Sequence, residues 1–206
     1  MTKRQQQQNL PPSQDGGYTI IESLVAMIVV SVLMIAIAPV MAFSVATRVQ
    51  ARRVELATQA AKTYIDALRT GTIKFGGSGF PTAAPANDLA SAAPPAVGDT
   101  YCVNMNGGGC EPNSNKGFYV QGAWLNQNAT AGNDPTSKGY QLLVRVYRAD
   151  SFAGGVTLRP PKTATKQSVV GSGLGDKTIP VVEMSTEIPA SGTPSYSSIS
   201  DRLKKP

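Results

Sequence analysis

The chain has 206 residues, a formal net charge of +6, two cysteines and no histidine. The lack of histidine excludes Ser-His-Asp and Cys-His catalytic machinery, and it removes the most common zinc ligand. A net positive charge permits binding to acidic polymers, but it is also an ordinary way for a protein to stay soluble.

Residues 1–17 are polar and stand in front of a long apolar segment. They contain two basic residues, a run of glutamines and a glycine pair, Gly16 and Gly17. A secretory signal peptide is cleaved after its apolar core, whereas this glycine pair lies before the core. Cleavage by signal peptidase after Ala42 or Ala46, which would leave a soluble exported protein, is the alternative interpretation.

The segment from Ser23 to Thr47 contains no ionisable side chain. A helix of this length, at about 1.5 Å per residue, covers a hydrocarbon core of roughly 30 Å. The pattern therefore predicts a membrane-spanning helix over residues 18–47. One carboxylate, Glu22, stands at its edge, where a charge is costly and is usually kept for a partner. A plain uncleaved anchor would explain the apolar segment but not the fixed spacing between Gly17 and Glu22.

The stretch from Gly16 to Leu24 resembles the type III signal of type IV pilins and pseudopilins. The resemblance implies that a prepilin peptidase removes residues 1–17, cleaving after Gly17, and methylates the new terminal amine on Tyr18. The family motif has a glutamate at the fifth mature position, and Glu22 occupies it. In a filament, Glu22 of one subunit would face the Tyr18 amine of a neighbour and set the axial register, because an unpaired charge at low dielectric is penalised.

The resemblance also implies a location and a set of partners. The peptidase acts from the cytoplasm, so the amino terminus would be cytoplasmic and the head would lie in the periplasm, anchored in the inner membrane. The partners would be other pilins and the membrane assembly platform. Basic residues occur on both sides of the span, so the positive-inside rule does not choose a direction. Arg48, Arg52 and Arg53 could contact anionic headgroups, pair with carboxylates in the filament or simply be solvated.

Pro39 predicts a kink or a melted turn between Ala36 and Val40, because proline removes one helix hydrogen bond and clashes with the preceding turn. Type IV pilins commonly carry a proline in this region, and the resemblance implies that the helix loosens there on assembly into the filament. Proline is also frequent in membrane helices in general.

The helix is predicted to continue over residues 48–70 as an amphipathic helix, because no glycine or proline interrupts it before Gly71. Gly71 is a candidate for the C-terminal cap. Apolar residues recur at helical spacing. The predicted buried face consists of Val45, Val49, Leu56, Ala60, Tyr64 and Leu68.

Residues 71–99 are rich in glycine, alanine and proline and predict a surface loop. Residues 100–190 predict a small antiparallel sheet that packs on the helix, which gives an α+β class and a pilin-like fold. The predicted strands are 100–104, 117–125, 140–147, 155–158 and 179–188. In the clearest of them, Tyr140, Leu142, Val144 and Val146 share one face. Residues 191–206 are polar and predict a mobile tail.

Cys102 and Cys110 are separated by a glycine-rich stretch that can close on itself. In an oxidising compartment such a pair forms a disulfide. Two free thiols and a metal site are the alternatives, although two thiols without a histidine make a poor metal site.

No motif indicates catalysis or a bound cofactor, and the chain is not expected to be an enzyme. The head carries basic residues that could attract an acidic polysaccharide or DNA, with solubility as the simpler explanation. These residues are Arg145, Arg148, Arg159, Lys162, Lys166 and Lys177. Trp124 and Tyr119 could stack on a sugar or a base, but their position in a strand-like run favours core packing.

Residues 44–73 resemble the hormogonium polysaccharide secretion pseudopilins of filamentous cyanobacteria, in particular the HpsB-like group. This narrower resemblance implies a minor subunit that supports polysaccharide secretion and gliding motility. The alternatives are a minor pilin of a twitching pilus and a pseudopilin of type II protein secretion, where Glu22 counts against a tip position. An adhesin or DNA receptor borne on the filament is an alternative of another class.

Overall fold

The structure is a computed structural model that describes residues 17, 19–85, 88–105, 107–112, 114, 117–126, 134–159, 167, 175–193 and 196–203. By its contacts the chain divides into two units, Met1–Ala42 and Phe43–Pro206. Helix α1, Ile20–Arg69, contributes residues to both units. The second unit also contains the whole sheet, so the fold is the predicted α+β, pilin-like type.

Within the first unit, α1 exposes its apolar side chains, including Leu24, Ile28 and Ile35. Among the described residues, α1 is the one helix long and apolar enough to cross a membrane. It continues through Pro39 without interruption. The structure therefore contradicts a melted turn between Ala36 and Val40 in the single chain, because the flanking helical hydrogen bonds hold the turn despite the one that proline removes. The alternative, a kink at Pro39, stays a prediction.

Within the second unit, α1 buries one face against the sheet. Ala60, Tyr64 and Leu68 are buried as predicted, but Val45 and Val49 are 64% and 41% exposed. The buried face also includes Ala57, Ala61 and Ile65. The prediction was wrong at the start of this face because hydrophobic spacing identifies a helix face but not where the sheet begins to cover it.

The end of α1 follows the predicted cap. Gly71 has a φ of 71°, a left-handed conformation that glycine adopts without strain. Its N–H donates to the carbonyl of Leu68 at 3.2 Å, and the N–H of Ile73 donates to the carbonyl of Ala67 at 3.1 Å. These bonds satisfy carbonyl groups of the last turn, which would otherwise have no partner in the helix.

The sheet has five strands. They are β1 (Thr82–Ala83), β2 (Tyr101–Asn104), β3 (Gly117–Leu125), β4 (Tyr140–Arg148) and β5 (Val182–Ile188). Their order is β1-β3-β4-β5, and β2 also pairs with β3. All pairs are antiparallel except β1 with β3, which is parallel. The predicted purely antiparallel sheet is thus corrected to a mixed one, because β1 arises from the loop 71–99, where composition carries no strand signal.

Two further predictions differ from the structure. Residues 155–158 are not a strand, since they begin within the turn at Gly154 and Gly155 and form no ladder with a described strand. The last strand begins at Val182 rather than at 179, after Pro180, which has no N–H to donate to a ladder. In the region predicted as a polar tail, a short helix α2 spans Tyr196–Leu203.

The core lies between α1 and the sheet. The predicted inward face of β4 is confirmed, because Tyr140, Leu142, Val144 and Val146 are all buried in one cluster with residues of α1. Tyr64 reaches across β3, and its hydroxyl donates to the carbonyl of Gly79 at 2.8 Å. A Cβ at Gly122 would lie 2.3 Å from that hydroxyl oxygen, so glycine is needed for this close approach.

Candidate functional site

The amino-terminal end of α1 holds the residues predicted for processing and assembly. Gly17 is exposed and Thr19 lies just before the helix, while Tyr18 lies outside the described residues. The carbonyl of Thr19 accepts hydrogen bonds from the N–H groups of Glu22, at 3.0 Å, and Ser23, at 3.2 Å. The predicted cleavage point thus precedes the first hydrogen-bonded turn, and cleavage there would leave the helix intact.

Glu22 lies in the first turn of α1 and its side chain is exposed. A carboxylate at this end of a helix is favourable, because the unpaired N–H groups of the first turn carry partial positive charge. Glu22 makes no ion pair with another described residue. Its carboxylate is therefore accessible to a cation of another molecule.

Comparison with known proteins finds a match, and it lies at this end of the chain. Residues 12–38 match the family model of the prokaryotic N-terminal methylation motif. This motif supports a type IV pilin-like or pseudopilin subunit. The match supports processing by a prepilin peptidase and assembly with other pilins, and the apolar helix α1 supports a single-pass membrane anchor. No curated protein matches the chain, and no solved structure does.

The pilin-like head contains the two cysteines in contact. The structure joins Cys102 and Cys110 in a disulfide with a Cα–Cα distance of 5.8 Å. The hydroxyl of Tyr119 donates to the carbonyl of Cys110, and the side-chain amide of Asn104 donates to the carbonyl of Gly109 at 3.0 Å. The bond ties β2 to the connection that leads into β3.

Reduction of this disulfide is expected to lower the free energy of unfolding by about 2.5 kcal/mol. The bond stabilises the fold because it restricts the unfolded chain, and the short loop that it closes keeps the effect at this modest size. Denaturant unfolding of the full chain in detergent, with and without a thiol reductant, measures the difference. A variant that carries Cys102→Ser and Cys110→Ser should already be destabilised and should not respond to the reductant. An unchanged midpoint for the native sequence would show that the thiols are free in the purified protein.

The structure contradicts part of the polyanion-binding face that the sequence predicted. Arg145 is 1% exposed, so its inclusion in that face was wrong. Arg148 is buried and pairs with Asp150, and Arg159 pairs with Asp176. Lys177 also approaches Asp150, at 3.2 Å. Lys162 and Lys166 lie outside the described residues.

Arg145 holds the loop 71–99 on the outer face of the sheet. Its guanidinium donates to the carbonyls of Ala92 at 2.8 Å and Ala90 at 3.0 Å, and its Nε donates to Glu183 at 2.8 Å. Gln121, which lies opposite Arg145 on β3, donates to the carbonyl of Ala93 at 2.7 Å. Arg145 and Gln121 thus supply donors to residues 90–93 of this loop, which lie outside β1, and Glu183 accepts from Arg145.

The role of Arg145 was missed in the sequence, although a signal was present. Leu143 and Tyr147 share its face of β4, and two large apolar residues on one side of a strand indicate that this side is also covered. Both are buried, with Leu143 packed beside Ala92 and Ala123.

Trp124 and Tyr119 are both buried and cannot stack on a sugar or a base. The indole ring of Trp124 lies 6.3 Å from the ring of Tyr140, and the ring of Tyr119 lies 4.9 Å from that of Phe152. Core packing, the alternative interpretation, is the correct one. Within the described part of the chain, no group of His, Cys, Asp and Glu is placed to hold a metal ion.

Proposed function

We propose that this protein is a minor subunit of a type IV pilus-like filament or pseudopilus, inserted in the inner membrane with its head in the periplasm. The observation that carries the proposal is the N-terminal methylation motif at residues 12–38, which overlaps the start of an exposed apolar helix. Cleavage after Gly17 would create a terminal amine on Tyr18, close in sequence to the accessible carboxylate of Glu22. One subunit then supplies the anion and a neighbour supplies the cation.

The mature protein in the membrane is expected to begin at Tyr18 with a methylated amine. Mass spectrometry of the amino-terminal peptide from the membrane fraction measures this directly. Cells that lack the prepilin peptidase provide the control, and in them the chain should begin at Met1. A mature pool that retains Met1 while the peptidase is present would contradict the proposal, and so would a chain that begins after Ala42 or Ala46.

We further propose that the filament supports polysaccharide secretion and gliding motility. The support is the resemblance of residues 44–73 to pseudopilins of hormogonium polysaccharide secretion. Deletion of the gene should abolish polysaccharide release and gliding while leaving the secretion of folded proteins unchanged. Loss of protein secretion instead would assign the subunit to a type II system, and loss of twitching alone would assign it to a twitching pilus.

A filament-borne receptor for DNA or polysaccharide has less support. The two aromatic residues that could stack are buried, and Arg145 is inside the head. Of the remaining described cations considered for that face, Arg159 pairs with Asp176, while Arg148 and Lys177 share the single carboxylate of Asp150.

A further inference from the structure

A second group of basic residues lies at one end of the head, next to the apolar segment of α1 in the sequence. Arg48 and Arg52 are one helical turn apart and exposed, and Arg53 is half-buried. All three follow within six residues of Thr47, the last residue of the uncharged segment. With a rise of about 1.5 Å per residue, Arg53 lies about 9 Å along the helix from that point.

The sheet brings two more cations to the same place. β4 ends at Arg148, and the short 3₁₀ helix that follows, Ala149–Phe152, carries Asp150. One carboxylate oxygen of Asp150 accepts from the guanidinium of Arg148 and lies 3.2 Å from the ammonium of Lys177. We call Arg48, Arg52, Arg53, Arg148 and Lys177 the basic cluster.

Arg53 links the helix to this end of the sheet. Its partial burial lowers its pKa, and the positive charge of Arg148 lowers it further, while the carboxylate of Asp150 acts in the opposite direction. Charges influence one another in this way only at short range in salt solution. The same end of α1 also contacts the segment that leads to Lys177, because a Cβ added to Gly175 would lie 3.3 Å from the side-chain amide of Gln50.

The basic cluster has more positive charge than the nearby carboxylates neutralise. Asp150 is buried among the cations, and Glu55 is the next carboxylate along α1. Counted over the described residues of this region, five cations against these two carboxylates leave an excess of three positive charges. The Arg159–Asp176 pair nearby adds no net charge. The exposed members of the cluster, Arg48, Arg52 and Lys177, can reach an anion outside the chain.

The position along the chain identifies the anion. A bilayer has a headgroup region several ångströms thick on each side of its hydrocarbon core, and Arg48 to Arg53 would enter that region if residues 18–47 span the core. Cations there lie within about one Debye length, roughly 10 Å, of the lipid phosphates. Each such cation strengthens attraction to an anionic surface about fivefold.

We propose that the basic cluster binds the headgroups of anionic phospholipids and so holds the unassembled subunit at the membrane surface. The inference rests on the proposed membrane insertion. Entry into a filament would then require release of these headgroups. The chemistry recognised is the phosphodiester anion of a bilayer surface, in contact with side chains from both α1 and the segment after β4.

The test is the rate at which an amine-reactive reagent labels Lys177 in the full chain. Single copies are reconstituted in nanodiscs of phosphatidylcholine alone or of an equal mixture with phosphatidylglycerol. We expect labelling of Lys177 to be about fivefold slower in the anionic discs. The difference should vanish in about 1 M salt, where the Debye length is about 3 Å. Lys74 and Lys138, exposed at the opposite end of β4, serve as internal controls and should not respond to lipid composition.

Paired variants keep the outcome interpretable. Arg48→Gln with Arg52→Gln should remove the effect of anionic lipid on Lys177, whereas Lys74→Gln with Lys138→Gln, which removes the same charge, should preserve it. Equal labelling of Lys177 in both kinds of disc would overturn the inference. Flotation of the chain with vesicles in alkaline carbonate tests insertion separately. If the chain does not float, the proposed membrane span fails; if it floats with equal labelling, only the lipid-binding proposal fails.

Discussion

Replacing Glu22 with alanine is expected to leave cleavage after Gly17 intact and to reduce incorporation of the subunit into filaments by about a hundredfold or more. Glu22 is exposed in the first turn of α1, and it is not part of the Gly17–Tyr18 peptide bond that the peptidase would cleave. In a filament core, its absence would leave the amine of a neighbouring Tyr18 buried without a counter-charge. Removing one partner of a buried ion pair typically costs about 3–5 kcal/mol, which corresponds to a hundredfold or more.

The measurement is the ratio of the variant in sheared filaments to the variant in the membrane, by quantitative mass spectrometry. Glu55→Ala is the matched control, because Glu55 is another exposed carboxylate of α1 but lies beyond the uncharged segment. Glu22→Asp keeps the charge on a shorter side chain and should incorporate at an intermediate level. Incorporation of Glu22→Ala at the level of the native protein would rule out the role of Glu22 in setting the register.

Replacing Arg145 with methionine is expected to lower the free energy of unfolding of the head by about 3–5 kcal/mol. The substitution preserves much of the side-chain volume but removes the donors to Ala90, Ala92 and Glu183. The carbonyl oxygen of Ala92, which is buried, would lose its hydrogen bond and also bear the cost of desolvation. For a unit of this size the melting temperature should fall by about 10 °C.

Arg159→Met provides the control for Arg145→Met. The Arg159–Asp176 pair is also an arginine–carboxylate ion pair, but both side chains are largely exposed, and such pairs contribute less than about 1 kcal/mol. Thermal unfolding followed by near-ultraviolet circular dichroism compares the two variants. Hydrogen exchange of the segment 88–93 should also rise in Arg145→Met alone, because that segment loses its anchor. Equal melting temperatures for the two variants would show that burial of Arg145 contributes no stability.

The inward face of β4 could be predicted because the alternation of Tyr140, Leu142, Val144 and Val146 is a local property of one strand. The environment of the opposite face could not be predicted. Whether Arg145 contacts water or the loop 71–99 depends on residues more than fifty positions away in the chain. The parallel strand β1 was missed for a similar reason. Two residues of a loop form a strand only because they lie beside the part of β3 around Ala123 and Trp124 and pair with it.

Helix α1 shows the same division within one element. Its extent and its end at Gly71 follow from residues that are neighbours along the chain. Its buried face does not follow completely, because Ala57 and Ala61 are buried where the sheet approaches, and Val45 and Val49 lie beyond that contact. Small residues at 57 and 61 allow close packing, but their composition alone does not indicate which side faces the sheet.

The sequence by itself determined the methylation motif and the apolar helix that follows it. Both features depend on a short run of consecutive residues. An enzyme can bind the motif and a bilayer can accept the helix without a folded head, so the sequence is enough to predict them. Only the tertiary structure decided which cations are inside the head and which are grouped at its surface. Arg53, the Arg148–Asp150 pair and Lys177 belong to three separate parts of the chain, which come together when α1 packs on the sheet. Their combined charge is therefore a property of the fold and cannot be read from any one segment.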